Sequence, residues 1–292
     1  FGALARQLGL DSPEAAAQGA LTIAIERMAE AIRRISIQRG HDLRGAVLVT
    51  FGSAGGQLTC PLADALGLTR VLLHPLAGVL SAYGIGLARP SLLRERTLRQ
   101  PLEPALLPRL EREIASLVAE ASAELGTSGD LAPGEAPCWQ ARLELRYGGS
   151  DQGLELPWPA GPPEDAYADL RAGFEARHRQ RFGFVVEDEP LVVERLQVEV
   201  GAPAPETPAG VVRAAELPEA ADPPEPSEWV PLCLAEEHGG GSGTGMTWRQ
   251  VPLWRREQLA AGQRIAGPAL VVEPTGTTGL EQGWGGLLYQ SP

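Results

Sequence analysis

The groups best suited to chemistry gather in one short stretch, Gly52-Ser53-Ala54-Gly55-Gly56, which follows the apolar run "GAVLVTF" and precedes a helix-like segment. A glycine corner between a strand and a helix is where doubly wound sheets turn backbone N–H groups toward a phosphate-bearing ligand. The spacing is not G-x-G-x-x-G, and the next strand ends in His74-Pro75, where a dinucleotide site would offer an acid to the ribose. The residues alone leave two readings open. Either the glycines let a helix pack closely on a strand, or their backbone touches a nucleotide.

Other reactive groups are scattered. Ser53 lacks the G-x-S-x-G setting of an activated serine. Of the four histidines, His41, His74, His178 and His238, the best placed base is His74, because it ends a core-like strand. Asp64 and Asp151 stand without a visible partner, so no general acid/base pair is assigned and the catalytic residues stay unknown. Cys60, Cys138 and Cys233 lie far apart without a CxxC pair, which speaks against a disulfide framework or a zinc site and fits a reducing cytoplasm. All 25 basic residues are Arg, so a P-loop lysine and a Schiff-base lysine are excluded. The formal net charge of −12 repels polyanions, so nucleic acid is not an expected partner. No apolar run reaches the length of a membrane span, and no membrane partner is expected.

The elements that must position the corner read clearly at the start of the chain. Ser12-Pro13-Glu14 opens a helix, Leu21, Ile25, Met28, Ile32 and Ile35 recur along one face, and Gly40 closes it. "GAVLVTF" suits a strand buried on both faces, followed by a helix over about 57–66 and a second strand at "RVLLH". Strand, helix and strand at that spacing make a βαβ unit, hence an α/β fold with a parallel sheet. "GVLSAYGIGLA" reads as a further buried helix. Beyond Pro90 the pattern becomes α+β: a helix over about 104–125, strands at "WQARLELRY" and "GLELPW", a helix over "PEDAYADLRAGFEARHRQRFG" and an alternating strand at "LVVERLQVEV". Residues 202–228 are rich in Pro, Ala and Glu and read as a semi-rigid linker or a long surface excursion, "GGGSGTG" at 239–245 reads as a hairpin tip, and this end of the chain reads as a small antiparallel sheet or partial barrel. Residues 1–100 carry a net charge of +4 and residues 101–292 carry −16, which places an expected domain boundary near residue 100. The chain opens at "FGALARQLGL" without an initiator Met, as a piece of a longer protein would.

Together, "ALTIAIERMAEAIRRISIQRGHD", "VLVTFGSAGGQLTCPLADALG" and "HPLAGVLSAYGIGLA" resemble the hydantoinase/5-oxoprolinase family in its ATPase-like portion. "LELRYGGSDQGLEL", "FEARHRQRFGF" and "IAGPALVVEPTGTTGLEQGW" are similar, in order, to that family's C-terminal region, and "HPLAGVLSAYG" leans toward the oxoprolinase branch. The resemblance implies part of the second lobe of an actin-like ATPase followed by a smaller mixed domain with antiparallel strands. It implies ATP as cofactor, with Gly52, Ser53, Gly55 and Gly56 at an adenosine-side turn, because the family's Phe-Gly-Gly-Ala-Gly falls on Phe51 to Gly55. It further implies ATP-driven opening of a cyclic amide, 5-oxoproline to glutamate. The expected partners are that small molecule and either the remainder of the same enzyme or a hydantoinase B-like subunit. The same motifs occur in the ATPase component of hydantoinase or acetone-carboxylase complexes, and a non-catalytic docking module is the non-enzyme alternative. Two departures stand out: Ser53 replaces a family glycine, and Leu58-Thr59-Cys60 replaces His-Ala-Cys. The family's Asp-x-Gly-Gly-Thr phosphate turns, which would hold Mg²⁺, have no counterpart in these 292 residues and would lie upstream of Phe1.

Overall fold

A computed structural model describes residues 1–131, 136–162, 165–202, 221–237 and 244–288. Most of the Pro-rich stretch, and the glycine-rich run with His238, lie outside the described residues. The chain divides into two compact units: Phe1–Ile37 with Asp42–Gly86 and Gly210–Pro292, and Gln38–His41 with Leu87–Ala209. This differs from the expected break near residue 100. The last 80-odd residues group with Phe1–Ile37 and Asp42–Gly86 rather than with the middle of the chain.

The first unit begins with α1 (Gly2–Leu8) and α2 (Pro13–Gln38). The start of α2 follows from its sequence: the Ser12 hydroxyl accepts the Ala15 N–H at 3.1 Å, and Pro13 and Glu14 occupy the first turn. Its apolar face is less covered than the periodicity implies, since only Ala16 and Ala29 are buried while Leu21, Ile23, Ile35 and Ile37 are exposed. β1 (Leu48–Thr50) pairs in parallel with β2 (Val71–Leu73), with α3 (Thr59–Leu66) between them and α4 (Leu80–Leu87) after. The expected βαβ unit is present. The run expected to be buried on both faces is open instead, with Val47, Val49 and Phe51 exposed, as is Leu72 on β2, and α4 buries no residue.

The second unit is a four-stranded antiparallel sheet under two helices. Its elements are β3 (Ser91–Pro101), α5 (Leu107–Ser128), β4 (Cys138–Tyr147), β5 (Leu154–Pro157), α6 (Ala166–Phe182) and β6 (Leu191–Gly201), with strand order β3-β6-β4-β5. In α5, Leu107, Leu110, Ile114, Leu117, Ala121 and Leu125 form one buried stripe at helical spacing. The sheet answers with Ala141, Leu143, Leu145 and Tyr147 on β4 and Val193, Leu196, Val198 and Val200 on β6. Alternation in β6 breaks at Glu194, where the register to β4 slips between Glu144 and Leu145. That bulge inserts one residue, so Val193 and Leu196 both reach the core although they are three apart. The other sheet face carries ion pairs, Arg195 to Glu144 at 2.7 Å and Arg146 to Glu194 at 2.8 Å. At the end of α6, His178 is buried, hydrogen-bonded through Nδ1 to the Phe184 carbonyl at 2.8 Å, and ringed by Tyr147, Phe174, Phe182 and Phe184.

The chain then returns to the first unit. β7 (Glu228–Glu237) and β8 (Thr244–Arg255) form a long hairpin, followed by β9 (Arg264–Ala266), β10 (Ala269–Glu273), β11 (Gly276–Leu280) and β12 (Gly285–Leu287). The larger sheet has the order β11-β10-β8-β7, and β9 pairs with β12. A small antiparallel sheet or partial barrel was expected here. It is mixed, because β10 runs parallel to β8. Trp254, Leu259, Ile265, Ala269 and Val271 make its core.

Candidate functional site

The glycine corner leaves the carboxyl end of β1 and enters a single 3-10 turn, Gly55–Gln57, before α3. Gly52 has φ +89°, a conformation that disfavours any side chain, and its N–H donates to the Ala77 carbonyl at 2.7 Å. That bond ties the loop after β1 to the loop after β2. The Gly55 N–H closes back on the Gly52 carbonyl at 3.2 Å, and the Thr59 hydroxyl donates to the Gly55 carbonyl at 2.8 Å. Thr59, one of the residues departing from the family pattern, thus fastens the turn onto the first residues of α3.

The four residues expected at a nucleotide do not share one environment. Gly52 and Ser53 are exposed, as is Ala54 between them and Gly55. Gly55 is half-buried, and a Cβ there would come within 2.7 Å of the Thr50 hydroxyl. Gly56 is buried, and its missing Cβ would stand 2.8 Å from both the Thr277 carbonyl and the Thr278 hydroxyl. Packing against β11 explains that glycine. The exposed edge of the turn is therefore Gly52-Ser53-Ala54.

Around α3 the chemistry is acidic and partly enclosed. Asp64 accepts the Trp284 indole N–H through both carboxylate oxygens, at 3.1 and 3.2 Å. Cys60 is buried, its thiol donating to the Gly279 carbonyl at 3.5 Å. Burial first, then the neighbouring charges of Glu281 and Asp64, push that thiol up, away from a reactive thiolate. Glu281 is exposed as a residue, yet its carboxyl is desolvated enough beside Cys60 and Asp64 to be held above the usual carboxylate range, burial acting more than the Asp64 charge. Asp64 is thus joined to Trp284, a partner the sequence did not reveal.

The histidines are not gathered here. His74 accepts the Leu76 N–H on Nδ1 at 3.0 Å and lies against Tyr83, a turn-closing role, while His41 and His178 belong to the second unit. Among the described residues no group of three or more His, Cys, Asp or Glu could hold a metal ion, so no residue described is assigned to Mg²⁺. Sequence reasoning missed Thr275 to Gly279 as neighbours of the turn. The only available signal was the Thr/Gly repetition in "PTGTTG", which marks a tight element without saying what it packs on.

The fold and the turn together define a class: a mixed helix-and-sheet chain with a glycine-rich loop at the carboxyl end of a parallel strand pair. Residues 1–94 match the Hydantoinase/oxoprolinase family model. A 5-oxoprolinase of Dictyostelium discoideum is 27% identical over 274 residues, covering 94% of this chain and 20% of its own length. The caprolactamase subunit alpha of Pseudomonas jessenii is 28% identical over 290 residues, covering 96% of this chain and 39% of its own. The crystal structure of the ATP-dependent caprolactamase from that organism superposes with a TM-score of 0.74 at 26% identity, over 98% of this chain and 40% of that one. A nucleotide-free acetone carboxylase shares the fold, with a TM-score of 0.63 at 21% identity over 97% of this chain and 40% of that one. The chain spans about a fifth of the 5-oxoprolinase relatives' length.

Proposed function

We propose that this chain is part of an ATP-dependent cyclic-amide hydrolase of the 5-oxoprolinase type, opening 5-oxoproline to glutamate, and that Gly52-Ser53-Ala54 with Gly55 forms the adenosine-side wall of its nucleotide site. One observation carries the reading: the exposed edge of the glycine turn sits where βα loops meet ligands, inside the segment that matches the family model. Gly52 and Ser53 present backbone without bulky side chains, so a flat base or ribose can approach closely. Gly56 is assigned to packing, which narrows the expected set of four. ATP, when bound, supplies the driving force for opening an amide ring; the chain's own residues bound the nucleotide and hold the loop. Mg²⁺ and the phosphate-binding turns belong, in this proposal, to other parts of the enzyme, as does a hydantoinase B-like partner, which the "subunit alpha" of the caprolactamase relative supports. The free cysteines support a cytoplasmic setting.

A second reading is favoured by Gly56 and Gly78, both filled by the β10–β11 hairpin: the turn is a packing device within a docking module. Ser53→Leu and Ala54→Leu in the intact enzyme separate the two, because both residues are exposed and the fold should tolerate them within about 0.5 kcal/mol. The expected outcome is a KM for ATP raised about tenfold, roughly 1.4 kcal/mol of binding, at unchanged Tm. Unchanged KM values in both variants would leave the packing device standing.

A further inference from the structure

The loops after β1 and β2 are held by residues more than 190 positions further along the chain. The Thr277 N–H donates to the Ser53 carbonyl at 3.2 Å. Gly56 meets Thr277 and Thr278, and a Cβ on Gly78, in the loop after β2, would strike the Thr275 carbonyl. Both loops are glycine at the points where the β10–β11 hairpin crosses them. A few residues on, the Cys60 thiol reaches the Gly279 carbonyl, and Asp64 takes the Trp284 indole N–H through both oxygens. The hairpin and the segment after it therefore touch the turn, the 3-10 turn behind it and two successive turns of α3.

We propose that the β10–β11 hairpin, latched by Asp64 and Trp284, is the positioning element of the nucleotide-side loop, with Thr277, Gly78, Asp64 and Trp284 as positioning residues that touch no substrate. The inference rests on the nucleotide reading of Gly52-Ser53-Ala54. An exposed loop of small residues has many conformations of similar energy, and ligand affinity falls in proportion to the fraction that is binding-competent. Local bonds hold the far side of the loop, Gly55 to Gly52, Gln57 to Ala54 and Thr59 to Gly55, whereas Gly52 and Ser53 are held from outside, the Gly52 N–H by the Ala77 carbonyl and the Ser53 carbonyl by the Thr277 N–H. Loosening the hairpin should raise the cost of binding equally in ground and transition states, which moves KM and leaves kcat in place.

The test uses the intact enzyme. Trp284→Phe removes the indole N–H and keeps a ring, while Gly78→Ala displaces the hairpin. Leu259→Ala, in the core of the same sheet and away from the turn, is the stability control. The expected result is a five- to tenfold rise in KM for ATP in the first two variants with kcat within twofold, and a lowered Tm without a change of KM in the control. In nucleotide-free enzyme, amide hydrogen exchange at Gly52 and Gly55 should quicken several-fold in Trp284→Phe and not in the control. If Ser53→Leu raises KM while Trp284→Phe and Gly78→Ala leave both KM and exchange unchanged, the hairpin is not a positioning element although the nucleotide reading stands. If exchange quickens but neither Ser53→Leu nor Ala54→Leu moves KM, the hairpin braces a loop that is not a nucleotide site, and the proposal fails together with that reading.

Discussion

Glu281 shows how much one carboxyl can reveal about the packing around it. Its ordinary value is 4.5, and partial desolvation followed by the Asp64 charge holds it higher in the folded chain. The folded state therefore binds a proton more tightly than the unfolded one. The stability this contributes is present below the unfolded value and is lost as pH rises through the folded value. At neutral pH the ionised Glu281 is disfavoured in its partly desolvated place beside the Asp64 charge. Glu281→Gln should thus raise Tm by about 1–2 °C at pH 8, the shift for roughly half a kcal/mol after solvent screening, with the gain vanishing near pH 4. Paired melting curves at the two pH values decide it. A Tm difference that does not grow with pH would mean that neither the desolvation of Glu281 nor the Asp64 charge beside it is felt in solution.

At the scale of elements, periodicity was legible wherever a single face is buried. The stripe in α5 predicted a helix because Leu110, Ile114, Leu117 and Leu125 meet one sheet, and Leu117→Ala should cost about 2–5 kcal/mol by leaving a cavity there. Glu120→Ala, on the exposed side, should stay within about 0.5 kcal/mol. Denaturant midpoints for the two variants test whether that stripe carries the second unit. β3 was not legible. Arg94, Arg96 and Arg99 interrupt its apolar pattern, and the strand is held by long pairing with β6 and by Arg-to-Glu contacts, such as Arg96 to Glu113, that leave no periodic mark. The parallel pairing of β8 with β10 escaped for a related reason, since pairing direction depends on the path between strands rather than on the strands themselves. The glycine corner was legible from its place between a strand and a helix, but that Gly56 is buried while Gly52 stays exposed depends on the β10–β11 hairpin, more than 190 residues away.

For the molecule as a whole, charge and composition averaged along the chain suggested a break near residue 100, whereas contacts gather Phe1–Ile37 and Asp42–Gly86 with Gly210–Pro292. A running average cannot see such a return of the chain. Among its described residues the first unit offers one glycine-rich turn, packed against the β10–β11 hairpin, in a chain covering 20% of a 5-oxoprolinase relative. Phosphoryl transfer needs positioned phosphates, charge neutralisation and an oriented nucleophile acting at once. The sequence holds no Asp-x-Gly-Gly-Thr turn and no lysine. We therefore expect these 292 residues, purified alone, to show no steady ATP turnover with Mg²⁺ and 5-oxoproline. Contact through one loop covers only part of the ligand, so binding should be weak, about millimolar, near −4 kcal/mol. A phosphate-release assay with equilibrium binding measures both quantities. Steady turnover that survives Ser53→Leu and Gly55→Val would place the catalytic machinery within this chain and away from the glycine turn, whereas silent chemistry with weak binding abolished by those changes is the result this reading requires.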